Sequence, residues 1–163
     1  MSFFQDFIEG IARGVSSALT DNRAFPGNSE SGRIERLCRE LGWAVDERVG
    51  EAIRLHFKDT HGSTRLVSIG DGDGDLVLFI ASSLVSFRDP PDELMGYVLA
   101  RSAQTPFGGW TVTDADNGTV VFVFLYRALG GGLTAPALRS ICEAMVGETA
   151  EFDAKLRGAG FLR

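Results

Sequence analysis

The chain has 163 residues and a net charge of −6, with 44% hydrophobic and 23% charged residues. This length suits one domain, or one domain with an appendage, and can enclose a core without disulfides or metal. The composition excludes wholesale disorder and fibrous repeats. The negative charge excludes nucleic acid and anionic lipid as favoured partners, because both bind basic patches.

No apolar run approaches the roughly 20 residues of a membrane helix, so we predict no membrane insertion. The first 20 residues do not read as a secretory signal, because polar residues interrupt any apolar core. We therefore expect a cytoplasmic protein. Cys38 and Cys142 each lie among apolar residues at helical spacing, which predicts two small buried hydrophobic side chains rather than a disulfide or a nucleophile.

Residues 1–20 form the first predicted element, an amphipathic helix. Its apolar positions follow the 3.6-residue period. Gly10 and Gly14 weaken it by about 1 kcal/mol each relative to alanine, so it needs a surface to pack on. That surface is either the chain's own sheet or a partner, and we single out Phe4, Phe7 and Ile11 as candidate partner-binding residues.

A polar linker at 21–30, with Pro26 and Gly27 as breakers, separates this helix from the main domain at 31–163. The domain opens with a helix over about 31–42, for which Gly42 is a natural end. Its apolar stripe consists of Ile34, Leu37, Cys38 and Leu41.

The period then changes from 3.6 to 2, which indicates strands. Ile53, Leu55 and Phe57 alternate with polar residues in a first strand. A second strand covers 64–70 and a third covers 75–87, with a glycine-rich turn between them.

A middle helix is predicted to begin with Asp89 as its N-cap and Pro90 in its first position. Its inner face would hold Leu94, Met95, Val98 and Leu99. A hairpin then follows over 110–128, turning at Asp116-Asn117-Gly118. Thr134 caps a long last helix, whose stripe is Leu138, Ile141, Met145, Thr149, Phe152 and Leu156.

These elements predict an α+β fold with an antiparallel sheet of about five strands. The order is α-βββ-α-ββ-α, preceded by the extra N-terminal amphipathic helix. Two strand segments, 76–81 and 120–126, are apolar at consecutive positions, so both faces of the sheet need a cover. The N-terminal helix, a partner subunit and a bound client are the three candidates for the second face.

The most site-like string is Asp71-Gly72-Asp73-Gly74-Asp75, whose alternating acids resemble the start of an EF-hand loop. The sixth and twelfth positions of that loop are Leu76 and Ser82, where the motif needs Gly and Glu, so we predict a solvated turn. His56 and His61 are expected on the surface. We predict no catalytic residue, no cofactor and no metal site.

Several segments between residues 31 and 157 together match the pattern of a known family. They are Leu41-Gly42-Trp43 after the first helix, Asp89-Pro90-Pro91 before the middle helix, the strand through Tyr126, Gly131-Gly132-Leu133-Thr134, and the long helix with Phe152 and Leu156. On these segments the chain resembles the YbjN family, whose fold is shared with type III secretion chaperones. The extra segment at 1–32 departs from that pattern.

The resemblance implies a domain without a known catalytic centre, often dimeric. Secretion chaperones bind effector segments in extended form, and YbjN-like proteins are loosely tied to stress and signalling. No functional residue can be transferred by position. We therefore expect a non-enzymatic, chaperone-like or regulatory module that forms a homodimer and binds a protein segment. The alternative is a small metal-binding or enzymatic domain, with Asp71, Asp73 and Asp75 near His56 or His61, assembled only in the fold.

Overall fold

The computed structural model describes residues 30–50, 52–72, 75–115 and 119–161. The predicted N-terminal helix and all but the last residue of the linker lie outside these ranges. The described elements are α1 (Glu30–Glu40), β1 (Glu47–Val49), β2 (Ala52–Lys58), β3 (Thr64–Asp71), β4 (Leu76–Arg88), α2 (Asp92–Gln104), β5 (Gly109–Ala115), β6 (Thr119–Leu129), a short 3-10 turn (Gly130–Gly132) and α3 (Ala135–Gly158).

The strands form one antiparallel sheet in the order β1-β2-β3-β4-β6-β5. The predicted α+β class and element order are confirmed, but the sheet has six strands instead of about five. The additional strand, β1, has three residues. A segment this short cannot display the period-2 alternation by which a strand is recognised in a sequence.

The end of α1 follows from one glycine. Gly42 has a φ of 71°, in the left-handed region that glycine adopts without steric cost. The N–H of Trp43 donates to the carbonyl of Cys38 at 2.9 Å, and the N–H of Gly42 donates to that of Arg39 at 3.1 Å. This pair of bonds is a Schellman motif, which satisfies the last carbonyls of the helix. The predicted stop at Gly42 is therefore confirmed.

The start of α2 differs from the prediction. The helix begins at Asp92, with Pro91 in the N-cap position, and not with Asp89 as cap and Pro90 in the first turn. A residue that precedes proline is driven out of the helical region, so Pro91 keeps Pro90 extended. Asp89 instead has a φ of 56° and belongs to the turn before the helix.

The inner face of α2 is also narrower than predicted. Leu94 and Val98 are buried and Met95 is partly buried, but Leu99 is 69% exposed. Each residue advances about 100° around the helix axis, so Leu99, one step beyond Val98, points away from the sheet. Its assignment to the inner face was wrong.

The last helix follows the prediction closely. Thr134 is its N-cap, and the hydroxyl oxygen accepts the N–H of Ala137 at 3.4 Å. Five of the six residues of the predicted stripe are fully buried and Ile141 is partly buried. The Thr149 hydroxyl donates to the carbonyl of Met145 at 3.0 Å, which satisfies a polar group inside the core.

All three helices contribute to one core on the same side of the sheet, which we call the inner face. Its centre is aromatic: the rings of Trp110 and Phe152 stack with centroids 4.0 Å apart, and Phe122 and Phe124 meet them edge-on. Fully burying one such side chain contributes about 1.5–3 kcal/mol. None of the helices in the described ranges is long and apolar enough to span a membrane.

Candidate functional site

The alternation of side chains along the strands gives the sheet a second side, opposite the three helices, which we call the outer face. On β6, Phe122 and Phe124 point to the inner face, so Val121, Val123 and Leu125 point to the outer one. The register of β4 places Ile80 beside Leu125. These four outer residues, Ile80, Val121, Val123 and Leu125, form a separate apolar cluster, which we call the outer cluster.

The two valines of the outer cluster are as closed to solvent as the core. Val123 is 1% exposed and Val121 is 3% exposed, while Ile80 and Leu125 are partly buried. The sequence predicted that this face needs a cover, and the low exposures confirm it. Apart from Ala150, however, every buried apolar residue of the described helices belongs to the inner core.

One row of residues crosses the outer face from strand to strand. Arg54, Ser68, Ile80 and Leu125 stand opposite one another on β2, β3, β4 and β6. The side chains in this row thus change from charged to apolar across about 14 Å. A segment lying on this face would meet an apolar half over β4 and β6 and a charged half over β1 and β2.

Arg54 is the unexpected member of that row. The alternation of β2 predicted a solvated arginine, but the residue is 3% exposed. Its Nη1 donates to Glu47 Oε2 at 2.7 Å. Its Nε and Nη2 find no hydrogen-bond acceptor in the described part of the chain. A buried guanidinium with two unused donor nitrogens favours an acceptor from outside the described residues, because leaving such donors unpaired is costly.

The residues predicted to bind a partner, Phe4, Phe7 and Ile11, lie outside the described residues. The structure therefore neither brings them to the outer face nor separates them from it.

A second feature, absent from the sequence predictions, is a buried ionic cluster on the inner side. Arg65 of β3 donates through Nε to Asp59 Oδ2 at 2.8 Å and through Nη1 to Asp153 Oδ2 at 2.5 Å. All three side chains are at most 1% exposed. The signal in the sequence was Asp153 itself, which follows Met145 and Thr149 at four-residue steps along the buried stripe of α3.

This ionic cluster stabilises a bulge in β4. Ser82 pairs with Val123 and Ser86 with Val121, so β4 carries extra residues between them. Asp153 accepts the N–H of Leu84 at 3.1 Å and the hydroxyl of Ser83 within the extra stretch. The carboxylate thus satisfies a backbone donor that the bulge removes from the strand ladder. The role of the cluster is to position β4 on α3.

Asp59 joins the same cluster to the β2–β3 turn. Its Oδ1 accepts the N–H groups of His61 and Ser63, both at 2.9 Å. Burial opposes ionisation, but the hydrogen bonds from Arg65 and from these two backbone groups outweigh it. They hold the pKa of the Asp59 carboxyl below its ordinary value.

A further ion pair closes the far end of the inner face. Arg101 of α2 donates in bidentate fashion to Glu148 of α3, at 2.7 and 3.0 Å. Trp110 Nε1 of β5 donates to the same carboxylate at 2.8 Å. One glutamate therefore joins two helices and an edge strand, which makes this pair a packing element.

The two cysteines are free and fully buried, as predicted. Burial, together with the charge of Glu35, raises the pKa of the Cys38 thiol to about 11. Burial also raises the pKa of Cys142 strongly, with smaller contributions from Cys38 and Glu143. Neither thiol is a thiolate at neutral pH, so neither has the properties of a nucleophile.

The residues of the enzymatic alternative are separated in space. His56 and His61 are on the surface, as predicted, and Asp71 is at the other end of β3. Leu66 is the residue opposite His56, and Asp71 is five positions further, about 17 Å along the strand. Asp75 ends the turn on the exposed side, and Asp73 lies outside the described residues. Within the described ranges, no three His, Cys, Asp or Glu side chains form a metal-binding group.

The outer face is thus the strongest candidate site. It can hold an apolar chain segment by burial of the outer cluster, and it presents donors to an acceptor through Arg54. This is the chemistry of a binding surface.

The comparisons with known proteins agree with this reading of the fold. The family model of YbjN, described as "Putative bacterial sensory transduction regulator", matches residues 31–158. The chain is also similar to the crystal structure of YbjN from E. coli, described as "a putative transcription regulator". Sequence identity is 13%, the match covers 85% of this chain and 96% of that one, and the TM-score is 0.56.

It is similar as well to a chain in the structure of the HopA1-SchA chaperone-effector complex. Here sequence identity is 11%, the match covers 79% of this chain and 99% of that one, and the TM-score is 0.57. No curated protein is significantly similar in sequence. The predicted resemblance to the YbjN and secretion-chaperone fold is confirmed.

Proposed function

This chain belongs to the YbjN family, and from that premise we propose that it is a non-enzymatic, chaperone-like module that binds a segment of another protein. The observation that carries the proposal is the outer cluster. It is an apolar patch on the side of the sheet opposite the three described helices, none of whose residues belongs to it. An apolar sheet face of this kind is typical of a surface that buries a partner segment.

The chemistry of the face specifies the partner segment. Apolar side chains would lie over Val121 and Val123, and a carboxylate would reach the Nε and Nη2 atoms of Arg54. A guanidinium with two adjacent donors fits a carboxylate better than any other acceptor in proteins. The favoured partner is therefore an apolar segment with an acidic residue at one side.

The similarity of the fold to that of a chain from a chaperone-effector complex supports this proposal. We further propose that the protein is a cytoplasmic homodimer. The same proposal includes three further partner-binding side chains, those of Phe4, Phe7 and Ile11.

Binding can be tested with a client that needs no prior identification. Insulin B chains released by reduction aggregate, and a module that covers apolar segments slows the rise in light scattering. The reductant leaves this protein intact, because its cysteines form no disulfide among the described residues. We expect the full chain to delay aggregation and the variant V121D to delay it less. A charge in the outer cluster disfavours apolar contact.

L99D is the matched control, because Leu99 is exposed on α2, on the opposite side of the molecule. It should behave as the parent chain does. Equal aggregation with and without the full chain would reject the proposed function, and equal losses in V121D and L99D would move the site elsewhere. Light scattering of the full chain gives the solution mass, and a monomer at all concentrations would reject the homodimer.

A further inference from the structure

We propose that the outer face is covered in the resting protein by the N-terminal segment of the same chain, residues 2–19. In this arrangement Phe4, Phe7 and Ile11 lie on the outer cluster. The segment therefore occupies the surface that the proposed function assigns to a protein partner.

The burial of the outer cluster is the first argument. A valine on an uncovered sheet face is shielded by its neighbours at the sides but stays open from above. Val123 is nevertheless 1% exposed, and on the outer face its flanking residues include Ser82 and Thr111, which are small. Such low exposure calls for a covering layer, and a segment of the same chain can supply it.

Residues 2–19 are chosen as the covering segment by elimination. The buried apolar residues of all three described helices, Ala150 excepted, belong to the inner core. The internal gaps in the description are one to three residues long, at positions 51, 73–74 and 116–118, too short for a covering layer. Among the stretches of this sequence outside the described ranges, residues 1–29 are long enough.

The dimensions agree with this assignment. As a helix, residues 2–19 would be about 27 Å long. The outer face from β2 to β5 is about 19 Å wide, and β6 is about 37 Å long. The ten linker residues 21–30 can extend to about 33 Å, enough to pass from the start of α1 around an edge of the sheet.

The pattern of the segment supplies the complementary surface. Its apolar residues recur at helical spacing, and such a helix is marginal in water unless its apolar face is packed. The outer face also has small residues, Ser68, Gly70 and Ser82, over which a helix can approach closely. Two surfaces that each need a cover are thereby joined within one chain.

This cover gives the protein a means of regulation, which rests on the proposed function. In a helix, Asp6 and Glu9 would lie on the side of the segment opposite its apolar stripe, so they would point away from Arg54. A partner with an acidic side chain would bury the same cluster and also satisfy Arg54. The partner and the N-terminal segment would then compete, and the partner would gain the contacts that the segment does not make.

The cover can be tested with one introduced cysteine in the full chain. The native thiols of Cys38 and Cys142 are fully buried and react slowly, so the background is low. We expect V123C to react with N-ethylmaleimide at least about tenfold more slowly than L99C, because reaction requires the cover to open. Adding F7S and I11S should raise the labelling rate of V123C about tenfold or more. Without these apolar side chains the segment loses its contacts with the outer cluster and leaves Val123 open more often.

A81C is the matched control, since Ala81 is 2% exposed on the inner face of β4. Its rate should not change with F7S and I11S. If it does change, the double variant has disturbed the whole fold, and F7S alone then decides the matter. The proposal is overturned if V123C reacts as fast as L99C, or if F7S does not change its rate relative to A81C.

A second copy of the chain is the competing cover, and dilution separates the two. Protection by residues 2–19 is independent of protein concentration, whereas protection by a second copy falls as the protein is diluted. Faster labelling of V123C on dilution therefore contradicts the proposal. Because no client is present, these outcomes are independent of the aggregation test, and either proposal can fail while the other stands.

Discussion

The two faces of the sheet bury valines to nearly the same extent by different means. On the inner face Val67 is 0% exposed beneath a layer of three helices. On the outer face Val123 is 1% exposed, in a small cluster that contains none of those helices. The inner layer is fixed to the strands by buried ion pairs, in which only Nη2 of Arg65 lacks an acceptor among the described residues. On the outer face, Arg54 lacks such acceptors at two nitrogens.

The comparison teaches that fractional exposure does not measure how firmly a face is closed. The inner cover is joined by Asp153, Arg65 and Glu148 to several strands, so it cannot open without breaking charged hydrogen bonds. The outer cover proposed here is joined to the domain by a ten-residue linker and contributes mainly apolar contacts. A permanent core and an exchangeable surface can therefore share one sheet.

The largest expected effect comes from removing the charge that fixes the inner layer. D153A leaves Arg65 buried without one of its two carboxylates and leaves the N–H of Leu84 unsatisfied. We expect the free energy of unfolding to fall by about 3–5 kcal/mol, measured by urea denaturation, because a buried charge loses its partner.

The control for D153A lies two residues away on the same helix. Glu151 pairs with Lys155 in an exposed salt bridge, and E151A should cost about 1 kcal/mol or less. A loss in D153A as small as that in E151A would show that the ionic cluster does not hold the inner face.

The same truncation on both faces tests the comparison directly. V67A removes two carbons from the inner core and should cost about 2–3 kcal/mol. V123A removes the same atoms from the outer cluster and should cost about 1 kcal/mol, because a loosely joined cover can settle into the space. Urea denaturation of both variants in the full chain measures the difference. Equal costs would mean that the outer cover is as rigid as the inner one.

A smaller change in the free energy of unfolding is expected when the pH is lowered, because the carboxyl of Asp59 then becomes protonated. Its folded-state pKa lies below the ordinary value of 3.8, so the ionised carboxylate stabilises the fold. This stabilisation is fully present above the ordinary pKa and is lost as the pH falls through the folded-state value. The stability difference between the parent chain and D59N should therefore shrink on acidification. Urea denaturation at about pH 7 and about pH 3 measures it, and a difference that grows at low pH would refute the assignment.

The smallest effect is expected at Leu99, which the helical pattern had placed on the inner face. Because the side chain is 69% exposed, L99A should change the free energy of unfolding by about 0.5 kcal/mol or less. Thermal denaturation of L99A and V67A under the same conditions compares the two losses of stability. A loss comparable to that of V67A would mean that Leu99 is buried in solution, for instance at a dimer contact.

Much of the fold was predictable because its signals are local. Gly42 ends α1, Thr134 begins α3, and the long stripe of α3 is buried as its spacing predicts. Errors occurred where a local signal met a competing constraint. Pro91 displaced the start of α2, and the three-residue β1 was too short to show a pattern.

The candidate site was predictable only in part. The consecutive apolar residues of β4 and β6 indicated that the outer face needs a cover. The burial of Arg54 gave no such indication. Asp153 on the buried stripe of α3 was a signal for the ionic cluster but not for its partners, because those lie on other elements, up to 88 positions away along the chain. Spacing along one element carries no information about contacts at that separation.

The sequence by itself determined the class of the fold, the order of its elements and the need for a second covering layer, because periodicity, caps and turn residues act within a few positions. The tertiary structure alone decided which charges enter the interior and which side of the sheet the three helices occupy. Those choices depend on strand register and on the bulge of β4. Register and bulge arise only when distant segments pair, and a one-residue shift would exchange the two faces.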